Sequence, residues 1–468
     1  NYNPKRIEEE WLDTIISENN TDGTDFYSIA IPPPNVTGNL HLGHALNSTI
    51  QDVLIKYNSL IGLNVRWTPG TDHAGIATQL LVEKALNNEG VDSSKLSNDQ
   101  LIDKIWDWKQ KNGNKILEQL KKLGLSCNWS KVKFTLDDDM TYAVNTAFIT
   151  LYNKGLIYKE KTLINWDSKL KTAISDLEVI SEEKKGKLYS FKYQLVDSND
   201  NIIVSTTRPE TMFGDTAIAV NPNDNRYKSY IGKKVINVFN KKHIPVIADE
   251  YADMEKGSGA VKITPGHDFN DFEVAKRHDL EMINILNDNG TLNENTPDEY
   301  QGLSVLEARD KLLNFMQEAN ILVSIDDVIN TIPKGDRSGE VIEPLLKDQW
   351  FLNVKGMAEK SIKAVEDEQI IFKPKFWENT YFEWLKNIKP WCISRQILWG
   401  HQIPIWTCKN GNSIAAYNEE DAKEKYFNKF NKNPEGPLKR ETDVLDTWFS
   451  SGLWPFSTLG WPGKSNEL

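Results

Sequence analysis

Two histidines, His41 and His44, stand three residues apart at the start of a segment whose apolar residues recur at helical spacing. On a helix, this spacing places both imidazoles on one face, and the first turn also carries backbone N–H groups without a partner inside the helix. Such a helix end attracts anions. The two imidazoles could therefore stabilise the charge that develops on a phosphate oxygen when a nucleotide is attacked at its α-phosphorus. The alternative is a helix with two surface or capping histidines.

The residues around this pair predict a strand–helix–strand unit. A strand-like run, 26–31, precedes a proline-rich break, and a second short strand, 64–67, follows the helix. Parallel strands joined by a right-handed crossover predict an α/β sheet. Gly38 and Gly43 have no side chain, so we expect a flat base or a ribose to approach the backbone closely at these positions.

Length and composition limit the class of protein. The chain has 468 residues, 39% of them hydrophobic, and 15 are Trp, which predicts two or three domains with large cores. Its three cysteines, Cys127, Cys392 and Cys408, lie far apart with no Cys-x-x-Cys pair, so we expect neither a disulfide framework nor protein-bound zinc. No apolar run approaches the ~18 residues of a membrane span, and the first residues do not resemble a secretory signal. We expect a cytoplasmic protein with no membrane partner.

The net charge of −12 argues against a protein that wraps nucleic acid over its whole surface. Any contact with RNA must then use local basic patches.

The composition changes near residue 181, where short strands begin to alternate with turn signals. This β-rich, barrel-like pattern interrupts the α/β chain and continues to about residue 334. We therefore predict three parts: residues 1–180, an insertion over 181–334, and residues 335–468, which return to the first domain.

One cluster within the insertion has residue types that suit a binding pocket. A strand over 261–264 would hold Lys262 and Thr264 on one face, and the turn that follows would present Asp268 and Asp271. An ammonium group, hydroxyls and two carboxylates could bind a small amino acid ester and position a water molecule. The alternative is a turn followed by a helix that the aspartates merely cap.

The long motif Pro-Pro-Pro-Asn-Val-Thr-Gly-Asn-Leu-His-Leu-Gly-His, with Gly-Thr-Asp-His-Ala-Gly about thirty residues later, closely resembles the HIGH region of class I aminoacyl-tRNA synthetases, in particular their valyl branch. The resemblance implies a Rossmann-like parallel-sheet catalytic domain that activates an amino acid with ATP and Mg²⁺ and passes it to tRNA. It gives His41 and His44 a catalytic role on the ATP phosphates. The implied ATP site is Gly38, His41, Gly43 and His44. The implied amino acid site is Pro34, Asn35, Asp72 and Trp448, with Asp72 facing the ammonium group.

Trp448 and a further residue, Arg395, each have an alternative reading. Trp448 lies in a block, 443–456, that matches the valyl form of another family motif, and the alternative is an ordinary core tryptophan. Arg395 lies in a segment that the resemblance places beside the acceptor end of the tRNA. A structural ion pair is the alternative reading of Arg395.

The insertion in turn resembles the editing domain of the valyl, isoleucyl and leucyl branches, which hydrolyses wrongly charged aminoacyl-tRNA. The resemblance implies that Asp271 meets the substrate ammonium, while Lys262, Thr264 and Asp268 read the side-chain hydroxyl or the terminal adenosine. The opposite wall would consist of Thr206, Thr207, Arg208 and Thr211. A hydrophobic pocket sized for valine cannot strongly reject threonine, the standard example of this limit, so a second, polar site would be needed.

The resemblance implies a valine–tRNA ligase activity with L-valine, ATP and tRNA(Val) as partners, and we expect a monomer. Family members continue into a lysine-rich KMSKS loop and an anticodon-binding domain that do not occur in this sequence. We therefore expect an N-terminal fragment that binds editing substrates but activates valine weakly. The alternatives are a fragment of an isoleucyl or leucyl enzyme, or a non-catalytic paralogue that binds RNA or a protein partner.

Overall fold

The structure is a computed structural model that describes residues 3–15 and 25–464. It contains two compact units. The first comprises the described residues up to Tyr158 and from Trp350 onward, and the second is Lys159–Gln349. The second unit is wider than the predicted insertion, 181–334, because it also takes in most of two long strands that flank it.

The helices and strands follow one another along the chain in three groups. The first group is α1 (Pro4–Ile15), β1 (Phe26–Ser28), α2 (Leu42–Leu60), β2 (Asn64–Arg66), β3 (Gly70–Thr71), α3 (Gly75–Asn88), α4 (Asn98–Asn112), α5 (Lys115–Lys122), β4 (Lys133–Phe134) and α6 (Asp138–Asn153). The second group is β5 (Ile157–Asp167), β6 (Thr172–Ala173), β7 (Val179–Gln194), β8 (Asn201–Thr206), β9 (Ala217–Val220), β10 (Lys234–Ile236), β11 (His243–Ala248), β12 (Ala260–Ile263), α7 (Phe269–His278), α8 (Val305–Glu318), β13 (Leu322–Gly335) and β14 (Ile342–Leu352). The third group is α9 (Lys355–Glu366), α10 (Trp377–Lys386), β15 (Trp391–Cys392), β16 (Ser394–Arg395), β17 (Ile405–Thr407), β18 (Ser413–Ala415), α11 (Glu419–Phe430), β19 (Lys439–Arg440), β20 (Val444–Leu445), α12 (Thr447–Ser451) and α13 (Trp454–Ser457).

The strand–helix–strand prediction is confirmed in the first unit. Strands β1 and β2 run parallel, with Tyr27 opposite Val65, and α2 connects them. Strands β3 and β4 are also parallel. A further parallel bridge joins Asn35 to Asp72, so the proline-rich break lies directly beside the end of β3.

The helix α2 is confirmed, but most of its apolar residues do not face the core. Three of them are largely exposed: Leu42 at 89%, Leu46 at 64% and Ile50 at 55%. The buried residues are Ser48, Asp52 and Ile55. Polar Asp52 is held inside because it accepts a hydrogen bond from the Ser126 backbone at 2.8 Å and pairs with Lys56.

One predicted helix differs from the sequence pattern, and the end of another lies outside the described residues. A single helix is expected over 101–123, but the chain forms α4 and α5, with Gly113 between them closing the first helix through a 2.7 Å bond to Lys109 O. Apolar spacing also predicts a helix over 4–17. The helix α1 is described to Ile15, and the last two predicted residues lie outside the described part of the chain.

In the second unit, β5 pairs antiparallel with β6, and two further sheets are centred on β7 and β9. Strand β7 pairs antiparallel with both β13 and β8. In the other sheet, β9 lies between β11, which is parallel to it, and β12, which is antiparallel, and β10 extends the sheet beyond β11. A bridge between Leu195 and Val235 links the two sheets. The barrel-like closure stays a prediction.

Candidate functional site

The two histidines of the first unit cap α2 together. His41 is the N-cap residue in an extended conformation, and its Nδ1 accepts the backbone N–H of His44 at 3.3 Å. His44 Nδ1 in turn accepts the backbone N–H of His41 at 3.4 Å. The rings stack with their centroids 3.7 Å apart. The capping alternative from the sequence is therefore confirmed, and it is compatible with phosphate binding.

This reciprocal cap determines which ring nitrogens remain available. Because each Nδ1 accepts a hydrogen bond, the proton of each neutral ring is assigned to Nε2, which is not used by the cap. Burial, and then the neighbouring His41, lower the pKa of His44, so this ring is neutral at pH 7. The helix end therefore offers Nε2–H donors together with free backbone N–H groups.

The two glycines of the predicted nucleotide site differ in their surroundings. A Cβ atom at Gly43 would lie 3.0 Å from Cε1 of His41, so glycine leaves room for the stacked ring. A Cβ atom at Gly38 would meet only the carbonyl of Asn35, at 3.9 Å, which leaves open space beside the backbone. Close approach of a ligand at Gly38 stays a prediction.

Asp72 follows β3 and is 5% exposed. Its carboxylate accepts hydrogen bonds from Thr447 Oγ1 at 2.6 Å, from the Ala74 backbone at 2.8 Å and from the Ser451 hydroxyl. Thr447 and Ser451 are four residues apart on α12, which places both hydroxyls on one face. Burial raises the pKa of Asp72, while the two hydroxyl bonds act in the opposite direction.

The structure brings three of the four predicted amino-acid-site residues together. The Asp72 backbone N–H donates to Pro34 O at 2.9 Å, and Asn35 lies in the bridge to Asp72. Trp448 lies on α12, next to Thr447, but its side chain is 69% exposed. The core alternative for Trp448 is therefore wrong, and its role as a wall of the amino acid pocket stays a prediction.

Arg395 takes the structural role. It is 3% exposed, forms an ion pair with Asp446 and donates to the carbonyls of Cys392 and Ser394 at 3.0 Å and 2.9 Å. Asp446 also caps α12 by accepting the Trp448 backbone N–H at 2.9 Å. The ion pair therefore fixes the helix that carries the hydroxyls bound to Asp72.

In the second unit, Lys262 is the centre of a buried cluster. Its Nζ atom donates to Thr211 Oγ1 at 2.8 Å, to Asp215 Oδ1 at 3.1 Å and to the Thr264 hydroxyl. The predicted placement of Lys262 and Thr264 on one strand face is confirmed. Asp215 is fully buried and also accepts the Tyr193 hydroxyl. Sequence reasoning missed Asp215 and Tyr193, because neither has a motif spacing relative to Lys262.

The two aspartates after the strand have different surroundings. Asp268 is exposed and caps α7 by accepting the backbone N–H groups of Asn270 at 2.8 Å and of Asp271 at 3.1 Å. For Asp268 the capping alternative is confirmed. Asp271 instead is buried and accepts the Thr264 backbone N–H at 2.8 Å. Burial, and then the negative charge of Asp268, raise the pKa of Asp271 to about 7.

In the wall predicted to lie opposite Lys262 in the editing pocket, Arg208 is held by ion pairs. Arg208 pairs with Glu343 and, at 3.4 Å, with Glu210. Glu210 is also bound by Arg309 through two bonds of 2.8 Å and 2.9 Å. The sequence analysis assigned no role to either glutamate. Glu210 lies in the same short segment as Arg208, whereas Glu343 is 135 residues away and has no spacing that could reveal the pair. A ligand at Arg208 has to compete with two buried carboxylates.

The threonines of this wall are held by the backbone around Arg208. Thr211 Oγ1 donates to the Arg208 carbonyl at 2.9 Å, and Thr206 Oγ1 accepts the Arg208 backbone N–H at 3.1 Å. Thr207 is half-buried. The part that these threonines play in binding stays a prediction.

Within residues 3–15 and 25–464, no group of three or more His, Cys, Asp and Glu side chains is arranged to hold a metal ion. No helix there is long and apolar enough to cross a membrane.

Residues 7–468 match the family described as tRNA synthetases class I (I, L, M and V). The chain belongs to this family. It is similar to the valine–tRNA ligases of Pelagibacter ubique (strain HTCC1062), with 51% identity over 94% of this chain and 50% of the relative, and of Francisella tularensis subsp. tularensis (strain SCHU S4), with 46% identity over 100% of this chain and 51% of the relative. The valine–tRNA ligase of Legionella pneumophila (strain Lens) is 48% identical over 100% of this chain and 51% of the relative.

The chain thus spans about half the length of the curated relatives it matches. Among solved structures, it is similar to the LeuRS chain of a LeuRS–tRNA–LeuAMS complex from Agrobacterium radiobacter K84, with a TM-score of 0.44 and 17% identity over 99% of this chain and 61% of that chain.

Proposed function

We propose that this chain carries the valine-activating site and the editing site of a valine–tRNA ligase. In this reaction valine and ATP form valyl-adenylate and pyrophosphate, and the valyl group then passes to tRNA(Val). The observation that carries the proposal is the reciprocal cap of His41 and His44, which directs the two Nε2–H groups away from the helix backbone. The names of the relatives supply the amino acid.

In activation, the carboxylate of valine attacks the α-phosphorus of ATP, and pyrophosphate leaves with its Mg²⁺. His41 and His44 donate hydrogen bonds to phosphate oxygens as their negative charge grows, which lowers the barrier without a covalent intermediate. No proton has to move in this step, so neutral imidazoles suffice.

Asp72 binds the ammonium group of valine. Thr447 and Ser451 favour the ionised carboxylate because their hydroxyls donate to it, and neither adds a positive charge that would repel an ammonium ion. Pro34 and Asn35 border the same space through their backbone contacts with Asp72.

In editing, the second unit hydrolyses threonyl-tRNA(Val). Asp271 binds the ammonium group, and the polar cluster around Lys262 and Thr264 recognises the threonine hydroxyl. The members of this cluster hydrogen-bond to one another, and a threonine hydroxyl can exchange hydrogen bonds with them. A valine side chain offers no hydroxyl and gains no such bond, which favours threonine over valine.

Calorimetric titration with two non-hydrolysable mimics tests both sites. Valyl-sulfamoyl adenosine resembles the adenylate, and 3′-threonylamino adenosine resembles the charged end of the tRNA. We expect Asp72→Asn to weaken only the first mimic and Asp271→Ala to weaken only the second. We also expect 3′-valylamino adenosine to bind more weakly than the threonyl compound.

Two results would overturn the proposal. If isoleucyl- or leucyl-sulfamoyl adenosine binds more tightly than the valyl compound, the amino acid substrate is isoleucine or leucine and not valine. If neither class of mimic binds the wild-type chain, the chain is a non-catalytic relative.

A further inference from the structure

The cluster around Lys262 contains two side chains to which the proposed function gives no role, Asp215 and Tyr193. Both are fully buried. Oδ1 of Asp215 accepts hydrogen bonds from Lys262 Nζ at 3.1 Å and from Thr264 Oγ1 at 2.5 Å. Oδ2 of Asp215 accepts the Tyr193 hydroxyl. Asp215 therefore takes up one donor from each of three neighbouring side chains.

All three donors of the Lys262 ammonium group are in use. An ammonium group has three N–H donors and no acceptor. Those of Lys262 donate to Thr211 Oγ1 at 2.8 Å, to Asp215 and to the Thr264 hydroxyl. A ligand atom can accept a hydrogen bond from Lys262 only if it displaces one of these partners.

The two threonine hydroxyls have also used their donors. Thr211 Oγ1 donates to the Arg208 carbonyl at 2.9 Å, and Thr264 Oγ1 donates to Asp215. A hydroxyl oxygen has two lone pairs, and Lys262 donates to one of them on each threonine. Each threonine therefore keeps one lone pair that can accept a further hydrogen bond.

Position favours Thr211 as the acceptor for a ligand. Thr211 and Lys262 keep exposed fractions of 4% and 7%. Tyr193, Asp215 and Thr264 are at most 1% exposed. A ligand that approaches the cluster thus meets the side formed by Thr211 and Lys262. Of these two, only Thr211 has hydrogen-bonding capacity left, and that capacity is to accept.

We propose that this cluster accepts a hydrogen bond from the substrate side chain through Thr211 Oγ1, and that Asp215 is the positioning residue that imposes this polarity; the inference rests on the proposed function. Asp215 imposes it because it binds donors of Lys262 and Thr264 that would otherwise be available to the ligand. The aminoacyl groups recognised are then those whose side chain carries an O–H donor, as threonine does. Side chains that only accept hydrogen bonds gain no bond and bind like valine.

Calorimetric titration of the whole chain with three 3′-aminoacylamino adenosines tests this polarity. The compounds carry threonine, valine and 2-amino-3-oxobutyrate, a threonine analogue whose ketone accepts hydrogen bonds but has no donor. At pH 8, Asp271 with its pKa of about 7 is ionised and can bind the ammonium group of all three. We expect the threonyl compound to bind about tenfold more tightly than the other two, which should agree within about threefold.

Variants of Asp215 separate positioning from structural support. In Asp215→Ala, one donor of Lys262 and the donor of Thr264 become free, so we expect the ketone compound to bind about as tightly as the threonyl compound. Asp215→Asn keeps an oxygen that accepts from these donors, so it should retain the preference for the threonyl compound. A purely structural Asp215 would lower all three affinities together without changing their order.

Thr211→Val tests the polarity even if Asp215→Ala fails to fold. It removes the proposed acceptor and frees one donor of Lys262, so the ketone compound should again bind about as tightly as the threonyl compound, whereas Thr211→Ser should resemble the wild type. Thr216→Val is the matched control, because Thr216 is buried next to Asp215 but donates to the Ile263 carbonyl at 3.5 Å. Urea midpoints show which variants are folded.

The outcomes distinguish this inference from the proposed function. If the wild type binds the ketone and threonyl compounds equally and both more tightly than the valyl compound, the polarity is wrong and the proposed editing site stands. The polarity is also wrong if folded Thr211→Val keeps the wild-type order of affinities. If folded Asp215→Ala keeps that order, Asp215 does not impose the polarity. If none of the three compounds binds, the proposed editing function falls and this inference falls with it.

Discussion

The two sites hold their buried carboxylates in different ways. In the first unit, Asp72 is surrounded by the neutral hydroxyls of Thr447 and Ser451. In the second unit, Asp215 is paired with the ammonium group of Lys262. The hydroxyls leave the negative charge of Asp72 available to a cationic ligand. The lysine cancels the charge of Asp215, so the net charge of the second site comes from its neighbour Asp271.

The largest effect should come from breaking the buried pair. Lys262→Met leaves Asp215 buried without its cation, and we expect the free energy of unfolding to fall by about 3–5 kcal/mol in urea denaturation followed by circular dichroism. Lys262→Met/Asp215→Asn should recover part of this loss. The exposed Lys276 on α7 gives the control, because Lys276→Met should change the stability by less than about 0.5 kcal/mol. Equal effects of the two single changes would mean that the pair is not buried.

Removing the charge of Asp72 should weaken the binding of valyl-sulfamoyl adenosine. Asp72→Asn keeps the shape but not the charge, so we expect the affinity for valyl-sulfamoyl adenosine to fall about thirtyfold, or ~2 kcal/mol, in calorimetric titration. Thr447→Val should cause a smaller loss, since the carboxylate keeps its charge, and Thr447→Ser should be close to wild type. Wild-type affinity in Asp72→Asn would show that Asp72 is purely structural.

Asp271 should make the second site sensitive to pH. Its pKa is raised from 3.8 to about 7, so the folded state holds this proton more tightly than the unfolded state, and stability falls as pH rises between these values. Binding of an ammonium group needs the ionised form. We therefore expect 3′-threonylamino adenosine to bind roughly tenfold more weakly at pH 6 than at pH 8. An Asp271→Asn variant should give a flat profile, and a flat wild-type profile would contradict the prediction.

The smallest effect concerns the cap of α2. His41→Ala removes the acceptor for the His44 backbone N–H and should lower the free energy of unfolding by about 1 kcal/mol, whereas His41→Asn can still cap the helix. Both variants lose an Nε2–H donor, so both should bind ATP more weakly in calorimetric titration. If His41→Asn bound ATP like the wild type, the histidine would be a cap only.

The sequence by itself determined the features that depend on neighbours within a few residues. The helical spacing after the proline-rich break predicted α2, and the histidine spacing placed both rings in its first turn. The two-residue period of the strand also put Lys262 beside Thr264.

Only the tertiary structure decided which distant groups complete each site. Thr447 reaches Asp72 across 375 residues, Asp215 reaches Lys262 across 47, and Arg208 is bound by Glu343 across 135. The tertiary structure also decided that Leu42, Leu46 and Ile50 of α2 are exposed. The inner face of this helix is instead formed by residues that include Asp52 and Ile55. The physical reason is that spacing and propensity act through the backbone over one or two turns, whereas burial and ion pairing depend on which segments the fold brings together.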